Sequence, residues 1–249
     1  DHDSTDGIAE ALLSSAALPE AKRPEIIPGI EFSTEYLGSD IHIVGLDMQY
    51  QAPEFQATVA SFRDDRLIRN KKMIARMAAD HIDLSYEEMA KAYGEQVWTR
   101  AHFAGYLVAH GYVASRKEAF ASLIGEGCRY YVPRSRIRPE EAVDLIRRFG
   151  GIPILAHPLL YHYDDAGLRT LLTLLKEHGL LGIEVYYSTH TPQQEAYVAA
   201  LAAELGLLPS GGSDFHGDNK PDISLGSGMG NLAISHELLD ALKEARDRI

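Results

Sequence analysis

Short apolar runs rich in β-branched residues recur at about 26–33, 40–47, 151–156, 182–187 and 206–211, and such runs predict strands. Between most of them apolar residues return at three- and four-residue spacing, as in Pro139–Phe149, Gly167–His178 and Pro192–Leu205, which predicts amphipathic helices. Strands alternating with helices predict an α/β fold built from parallel βαβ units. The pattern changes between residues 55 and 138, where only helical spacing is found: Phe55, Val59 and Phe62, then Ile74 and Met77, with a capping-box pair Ser85 and Glu88. The expected organisation is therefore a barrel formed by 1–54 and 139–249, interrupted by a helical insertion over 55–138. The chain opens on Asp1-His2-Asp3-Ser4-Thr5-Asp6-Gly7 and passes directly into a helix with Ile8, Ala11 and Leu12. The opening strand of a βαβ unit is thus expected to be absent, as in a truncated chain, and a missing barrel strand leaves edges open to aggregation.

Composition narrows the class. A chain of 249 residues suits one α/β barrel or two ordinary domains. No apolar run approaches the roughly 18 residues that a membrane helix needs, the lone Cys128 excludes an intrachain disulfide, and a signal peptide is not expected from the opening residues. The cytoplasm is the expected compartment. The net charge of −12 is uneven: residues 55–140 carry 14 Lys and Arg against 10 Asp and Glu, leaving 10 against 26 elsewhere. A basic insertion on an acidic body reads either as ordinary solvated helix faces or as a cap that draws an anionic substrate in.

Chemistry-bearing residues gather where strands are expected to end. Asp214 and His216 stand at i, i+2 in Gly211-Gly212-Ser213-Asp214-Phe215-His216. Glu31 closes Pro28-Gly29-Ile30-Glu31, His42 lies in Ile41-His42-Ile43-Val44-Gly45, His157 lies in Ile152-Pro153-Ile154-Leu155-Ala156-His157-Pro158, and His2 is in the first three residues. Any one of these histidines alone reads more readily as a hydrogen-bonded rim residue than as a ligand. Together, imidazoles and carboxylates at strand ends point to a multinuclear metal site, since these donors suit Zn, Mn or Fe, and active sites of parallel barrels form at those ends.

The order of these motifs resembles the PHP (polymerase and histidinol phosphatase) superfamily of metal-dependent phosphoesterases. Asp1-His2-Asp3, Gly29-Ile30-Glu31, His42-Ile43-Val44-Gly45, Ala156-His157-Pro158 and Ser213-Asp214-Phe215-His216 correspond to its successive motifs. The resemblance implies a distorted seven-stranded parallel barrel holding three divalent ions, Mn, Fe or Zn. It implies one ion on Glu31, His42 and His157, a second on a bridging Glu31 with Asp214, and a third on His2 and His216. The family's opening His-x-His and following Asp have no counterpart here, since they would precede Asp1. Fewer ions, with at most one held well, are expected on the chain as it begins, and a whole site if the gene encodes more. The ions would activate water, so that no side-chain nucleophile is required. Asp1 is expected to orient His2, and Glu184 reads either as a wall residue or as a support for ligands.

Arg63, Arg66, Arg69 and Asn70 recur at helical spacing, and Trp98-Thr99-Arg100-Ala101-His102-Phe103-Ala104 adds a second Arg with a His. These elements resemble the PHP subgroup of nucleoside 3′,5′-bisphosphate phosphatases that also trim RNA from its 5′ end. That resemblance implies substrate contacts from Arg66, Arg69, Arg100 and His102, with arginines gripping the phosphate beside the reacting one. A solvated helix face paired with Asp64 and Asp65 is the other reading of Arg66 and Arg69. Gly127-Cys128-Arg129 stands where many relatives have a Gly-Lys-Pro-like turn, which leaves a phosphate contact either absent or transferred to Arg129. The expected partner is a small phosphorylated nucleotide or a short RNA end, with Tyr93, Trp98 or Phe103 stacking a base. Double-stranded nucleic acid and membranes are not expected partners. A cyclic sugar-phosphate phosphodiesterase and a non-catalytic nucleotide-binding module with an incomplete metal site remain as alternatives. The other histidines, His81, His110, His162, His178, His190 and His236, carry no partnered motif and are expected at the surface or at caps, with His190 placed to line a pocket.

Overall fold

The computed structural model describes residues 2–94, 98–133 and 137–248. The chain divides into two compact units, Asp1–Ala57 with Arg136–Ile249, and Thr58–Ser135.

In the first unit, helix α1 (Gly7–Ala16) is followed by strands β1 (Gly29–Tyr36) and β2 (Ser39–Leu46). Helix α2 (Pro53–Ala79) begins in this unit and continues into the second. The second unit carries α3 (Tyr86–Tyr93), α4 (Arg100–Ala109) and the short α5 (Arg116–Ala119). The chain then returns to the first unit with α6 (Pro139–Arg148), β3 (Ile152–Leu155), α7 (Asp165–Glu177), β4 (Gly182–Tyr187), α8 (Pro192–Leu205), β5 (Leu208–Gly212) and α9 (Glu237–Asp247).

The five strands form one mixed sheet in the order β1-β2-β3-β4-β5. Among the strands of the described residues β3, β4 and β5 are parallel neighbours, joined through α7 and α8. The resemblance implies a distorted seven-stranded parallel barrel lacking its opening strand or strands; the described residues show a five-strand mixed sheet, in which β1 pairs antiparallel with β2, and β2 antiparallel with β3. For β1 and β2 the reason is connection length. Just Leu37 and Gly38 separate β1 from β2, whereas a parallel crossover needs a dozen or more residues. A further isolated parallel bridge joins His2 to Glu31, and Asp3 N donates to Glu31 O at 2.9 Å. The first residues thus run beside β1 on the edge away from β2.

Alternation along the strands sorts the two faces of the sheet. Ile30, Phe32 and Thr34 of β1 and Ile41 and Ile43 of β2 are buried on one face, where Phe32 meets Phe55 of α2 edge to face, and Phe55 meets Phe149. Glu31, Ser33, His42 and Val44 share the other face, with Ser33 directly opposite His42 and Glu31 opposite Val44. Lower on that face Val44, Leu46, Ile152, Ile154, Leu181 and Leu208 pack around Leu242 of α9. One face therefore carries an apolar plug at one end and polar side chains at the other.

The second unit has its own core, in which Met73, Met77, Met89, Trp98, Phe103, Leu107 and Ile124 are almost fully buried. Its α3 starts with the capping box read from the sequence: Glu88 N donates to Ser85 Oγ at 3.1 Å and Ser85 N donates to Glu88 Oε2 at 3.1 Å. No helix among the described residues is long and apolar enough to cross a membrane.

Candidate metal centre

Glu31 is the hub. Its Oε1 lies 2.9 Å from His42 Nδ1 and 3.2 Å from His157 Nε2, and the two imidazole nitrogens are 3.2 Å apart. Its Oε2 faces the other way, 3.8 Å from His2 Nε2, and His2, Glu31 and His216 also bring one donor atom each within 4.8 Å of one another. The His2 ring stands 4.7 Å from that of His42 and 5.6 Å from that of His216.

This grouping requires a curled sheet. A flat sheet spaces β1 and β5 by four strand intervals, roughly 19 Å, yet Glu31 of β1 and His216, just beyond β5, share a donor cluster. Residues from both edges of the sheet order thus meet at one end of the polar face.

The spacing fits a metal ion. Donors at about 2.0–2.2 Å from one ion stand roughly 2.8–3.6 Å from each other, for angles between about 90° and tetrahedral, a range that includes the 2.9–3.2 Å triangle of Glu31, His42 and His157. Two imidazoles and a carboxylate are donors for Zn, Mn or Fe. The second triangle, with His2 and His216, is wider and shares the same carboxylate, so Glu31 has the geometry of a bridging ligand.

The surroundings hold these donors in place. Tyr161 OH donates to Ala156 O at 2.7 Å and accepts from His42 N at 3.0 Å, tying the end of β2 to the residue before His157. His157 N donates to Glu184 Oε2 at 2.7 Å, so Glu184 of β4 holds the backbone of a candidate ligand. The His157 ring lies 5.6 Å from each of the rings of Tyr161 and Tyr187, while its Nδ1 is buried without a hydrogen-bond partner among the described residues. His2 Nδ1 is 3.2 Å from Ser33 Oγ, and Asp3 accepts from Ser33 N at 2.9 Å.

Asp214 is bonded differently from the other acids. Its Oδ2 accepts from Tyr187 OH at 2.7 Å and from the Lys220 ammonium, and its Oδ1 lies 3.0 Å from His216 Nδ1. Among the described residues the structure brings Glu31, His42 and His157 into one group of three donors and His2, Glu31 and His216 into another. Asp214 stands beside them in contact with His216. The expected orienting role of Asp1 falls outside the described residues.

Charge is distributed unevenly over the three acids. Burial pushes the Glu31 carboxyl up, but His2, His157 and His42 outweigh it and hold the group well below the usual carboxylate range. Asp214 is likewise lowered against its burial by His216, Lys220 and Tyr187. Glu184 goes the other way: burial lifts it to about 7, only partly offset by the His157 N–H and ring, with Glu31 and Asp214 adding to the rise.

In the second unit Arg66 and Arg69 are buried, each about 4% exposed, which removes the solvated-face reading that paired them with Asp64 and Asp65. Arg69 Nε donates to Asn70 Oδ1 at 2.8 Å, and Asn70 Nδ2 donates to Trp98 O at 3.0 Å. Arg100 lies over the rings of Tyr131 and Phe120 at 5.3 and 5.9 Å. His102 is buried, and its Nδ1 accepts from Thr99 N at 3.0 Å, closing the cap of α4. Trp98 and Phe103 are core residues, so neither offers a face to a base as the sequence reading had it. Tyr93 is half-buried against the His102 ring. Arg129 is exposed and ion-paired with Asp80.

Sequence reasoning missed Tyr161, Tyr187 as a donor to Asp214, and Lys220. His190, read from the sequence as a surface or capping histidine or as one placed to line a pocket, is buried, with Nδ1 bonded to Val185 O at 2.9 Å and its ring against Tyr187. A separate cavity of about 260 Å³, lined by Arg147, Gly150, Gly151, Leu181 and Arg246, lies at the opposite end of β3 from His157 and contains none of these donors.

No protein-family model matches the chain. It is 34% identical over 216 residues to a 5′-3′ exoribonuclease of Haemophilus influenzae, covering 87% of this chain and 77% of the relative. It is 32% identical over 217 residues to a 3′,5′-nucleoside bisphosphate phosphatase of Chromobacterium violaceum, covering 87% of this chain and 75% of the relative. Among solved structures, a protein from Bifidobacterium adolescentis assigned as a metal-dependent phosphoesterase superposes with a TM-score of 0.81 at 26% identity, over 98% of this chain and 84% of that one. With these relatives, this site and the order of its motifs, the chain belongs to the PHP superfamily of metal-dependent phosphoesterases, a family of hydrolases.

Proposed function

We propose that the chain hydrolyses a phosphomonoester of a small nucleotide, removing the 3′-phosphate of a nucleoside 3′,5′-bisphosphate, and that it also trims short RNA from the 5′ end. The observation that carries this reading is the shared carboxylate: Glu31 turns one oxygen to His42 and His157 and the other to His2. Two such donor sets on one acid support a pair of divalent ions sharing Glu31. Ions held there lower the pKa of water and neutralise charge on phosphoryl oxygens.

The protein's own side chains prepare that chemistry. Glu31 keeps its negative charge in a buried setting because three imidazoles surround it. Tyr161 and Glu184 fix the backbone around His42 and His157, so the donors need little rearrangement when an ion arrives. Tyr187 fixes the Asp214 carboxylate. In this reading His2, Glu31, His42, His157, Asp214 and His216 hold divalent Mn, Fe or Zn, and Arg66, Arg69, Arg100 and His102 of the second unit supply substrate contacts. The names of the two relatives, one acting on nucleoside bisphosphates and one on RNA from the 5′ end, support the substrate class.

The test follows three products of the manganese-loaded protein side by side: phosphate from a nucleoside 3′,5′-bisphosphate, mononucleotide from a short 5′-phosphorylated RNA, and the ring-opened monoester from a cyclic ribose phosphate. Turnover of the bisphosphate at least tenfold faster than of the cyclic ester is expected. Preference for the cyclic ester, or no hydrolysis of any of them by protein that carries metal, overturns the proposal.

A further inference from the structure

Three carboxylates, Glu31, Glu184 and Asp214, gather at one end of the polar face, and a phosphate ester approaching them is itself anionic. Among the described residues of the first unit, Lys220 is the Lys or Arg side chain ion-paired to this group. It follows the turn Gly217–Asn219, where its N–H donates to Gly217 O at 3.0 Å and brings the chain back beside Asp214.

Asp214 does not need this lysine to be satisfied. Tyr187 OH already donates to Oδ2, and His216 Nδ1 serves Oδ1. The ammonium has three donors, of which one suffices for Asp214. The Lys220 side chain is also 40% exposed against 12% for Asp214, so a charged head stands at the rim of the site on an acid that is already paired. Lysine binds phosphate as a compact point charge, and an exposed head on a flexible stem can keep its carboxylate while reaching a second anion.

We infer that Lys220 is a substrate-binding residue, whose ammonium takes an oxygen of the substrate's phosphate while Asp214 keeps it at the site. The inference rests on the phosphoesterase reading above. Lys220→Met and Lys220→Arg are compared with the unaltered protein, all loaded with manganese. The measurements are metal content, affinity for inorganic phosphate by calorimetry, and KM and kcat on the bisphosphate. Methionine is expected to weaken phosphate binding and raise KM by roughly tenfold or more, the size of one charged hydrogen bond, with metal content unchanged, and arginine to restore most of the loss. Equal phosphate affinity in the methionine variant overturns the inference. So does loss of manganese from it, which would make Lys220 a support for Asp214 alone. If the unaltered protein binds metal but neither binds phosphate nor releases it, the functional reading itself fails, independently of the variants.

Discussion

Asp3, His157 and Asp214 have φ of 53°, 27° and 54°, in the left-handed region that side chains other than glycine rarely adopt. Each such residue costs on the order of 1–3 kcal/mol and persists only where its surroundings over-determine it. Here the fixings are visible: Asp3 is tied to Ser33, His157 N to Glu184, and Asp214 to Tyr187 and His216. Tyr161 has the corresponding role between the two histidines that share Glu31 Oε1. Tyr161→Phe removes a hydroxyl that meets His42 N and Ala156 O, so its manganese affinity is expected to fall about 10- to 100-fold, as for other groups that orient ligands. Titrating metal into the chelator-treated variant checks this, and unchanged affinity would show that the histidines hold their spacing without it. At this scale the sequence was informative where a ligand sits in a short apolar run, as Glu31, His42 and His157 do. It was silent on Tyr161, whose hydroxyl acts on the backbone of a residue 119 positions away. Nor could the spacing of Arg66 and Arg69 separate a buried face from a solvated one, because both give the same three- and four-residue pattern.

The β1–β2 hairpin shows where reading elements from the chain succeeds and where it fails. The apolar runs were visible, yet the turn between them carries no Asn-Gly or Asp-Gly signal. Leu37 and Gly38 both have positive φ, 50° and 82°, as the two central residues of a type I′ turn require. Leu37 is 83% exposed, so its side chain contributes little packing to set against the strain. Leu37→Asn is therefore expected to stabilise the protein by about 1 kcal/mol, since Asn tolerates this conformation better. A denaturant midpoint that stays put or falls would contradict that account of the turn. The two-residue connection also explains why β1 and β2 are antiparallel, because a chain that turns so tightly can only come back antiparallel. By contrast β3, α7, β4, α8 and β5 were legible as alternating strands and helices, each connection being long enough for a crossover helix.

At the scale of the molecule, the chain sets an acidic body against a more basic middle segment, with 14 Lys and Arg against 10 Asp and Glu over residues 55–140. The second unit is held by a core of its own, in which Trp98 and Phe103 have packing roles. The first unit carries the donor cluster, where the sheet curls so that His2, beside β1, meets His216, beyond β5. Both donor sets depend on one side chain, and the measurement that tests this most directly is manganese content in Glu31→Gln beside the unaltered protein, with circular dichroism to check that both are folded. The account predicts that the folded variant loses most of its metal, and phosphate release with it, because each pair of histidines loses the carboxylate they share. A folded Glu31→Gln protein that keeps its full complement of manganese would contradict it.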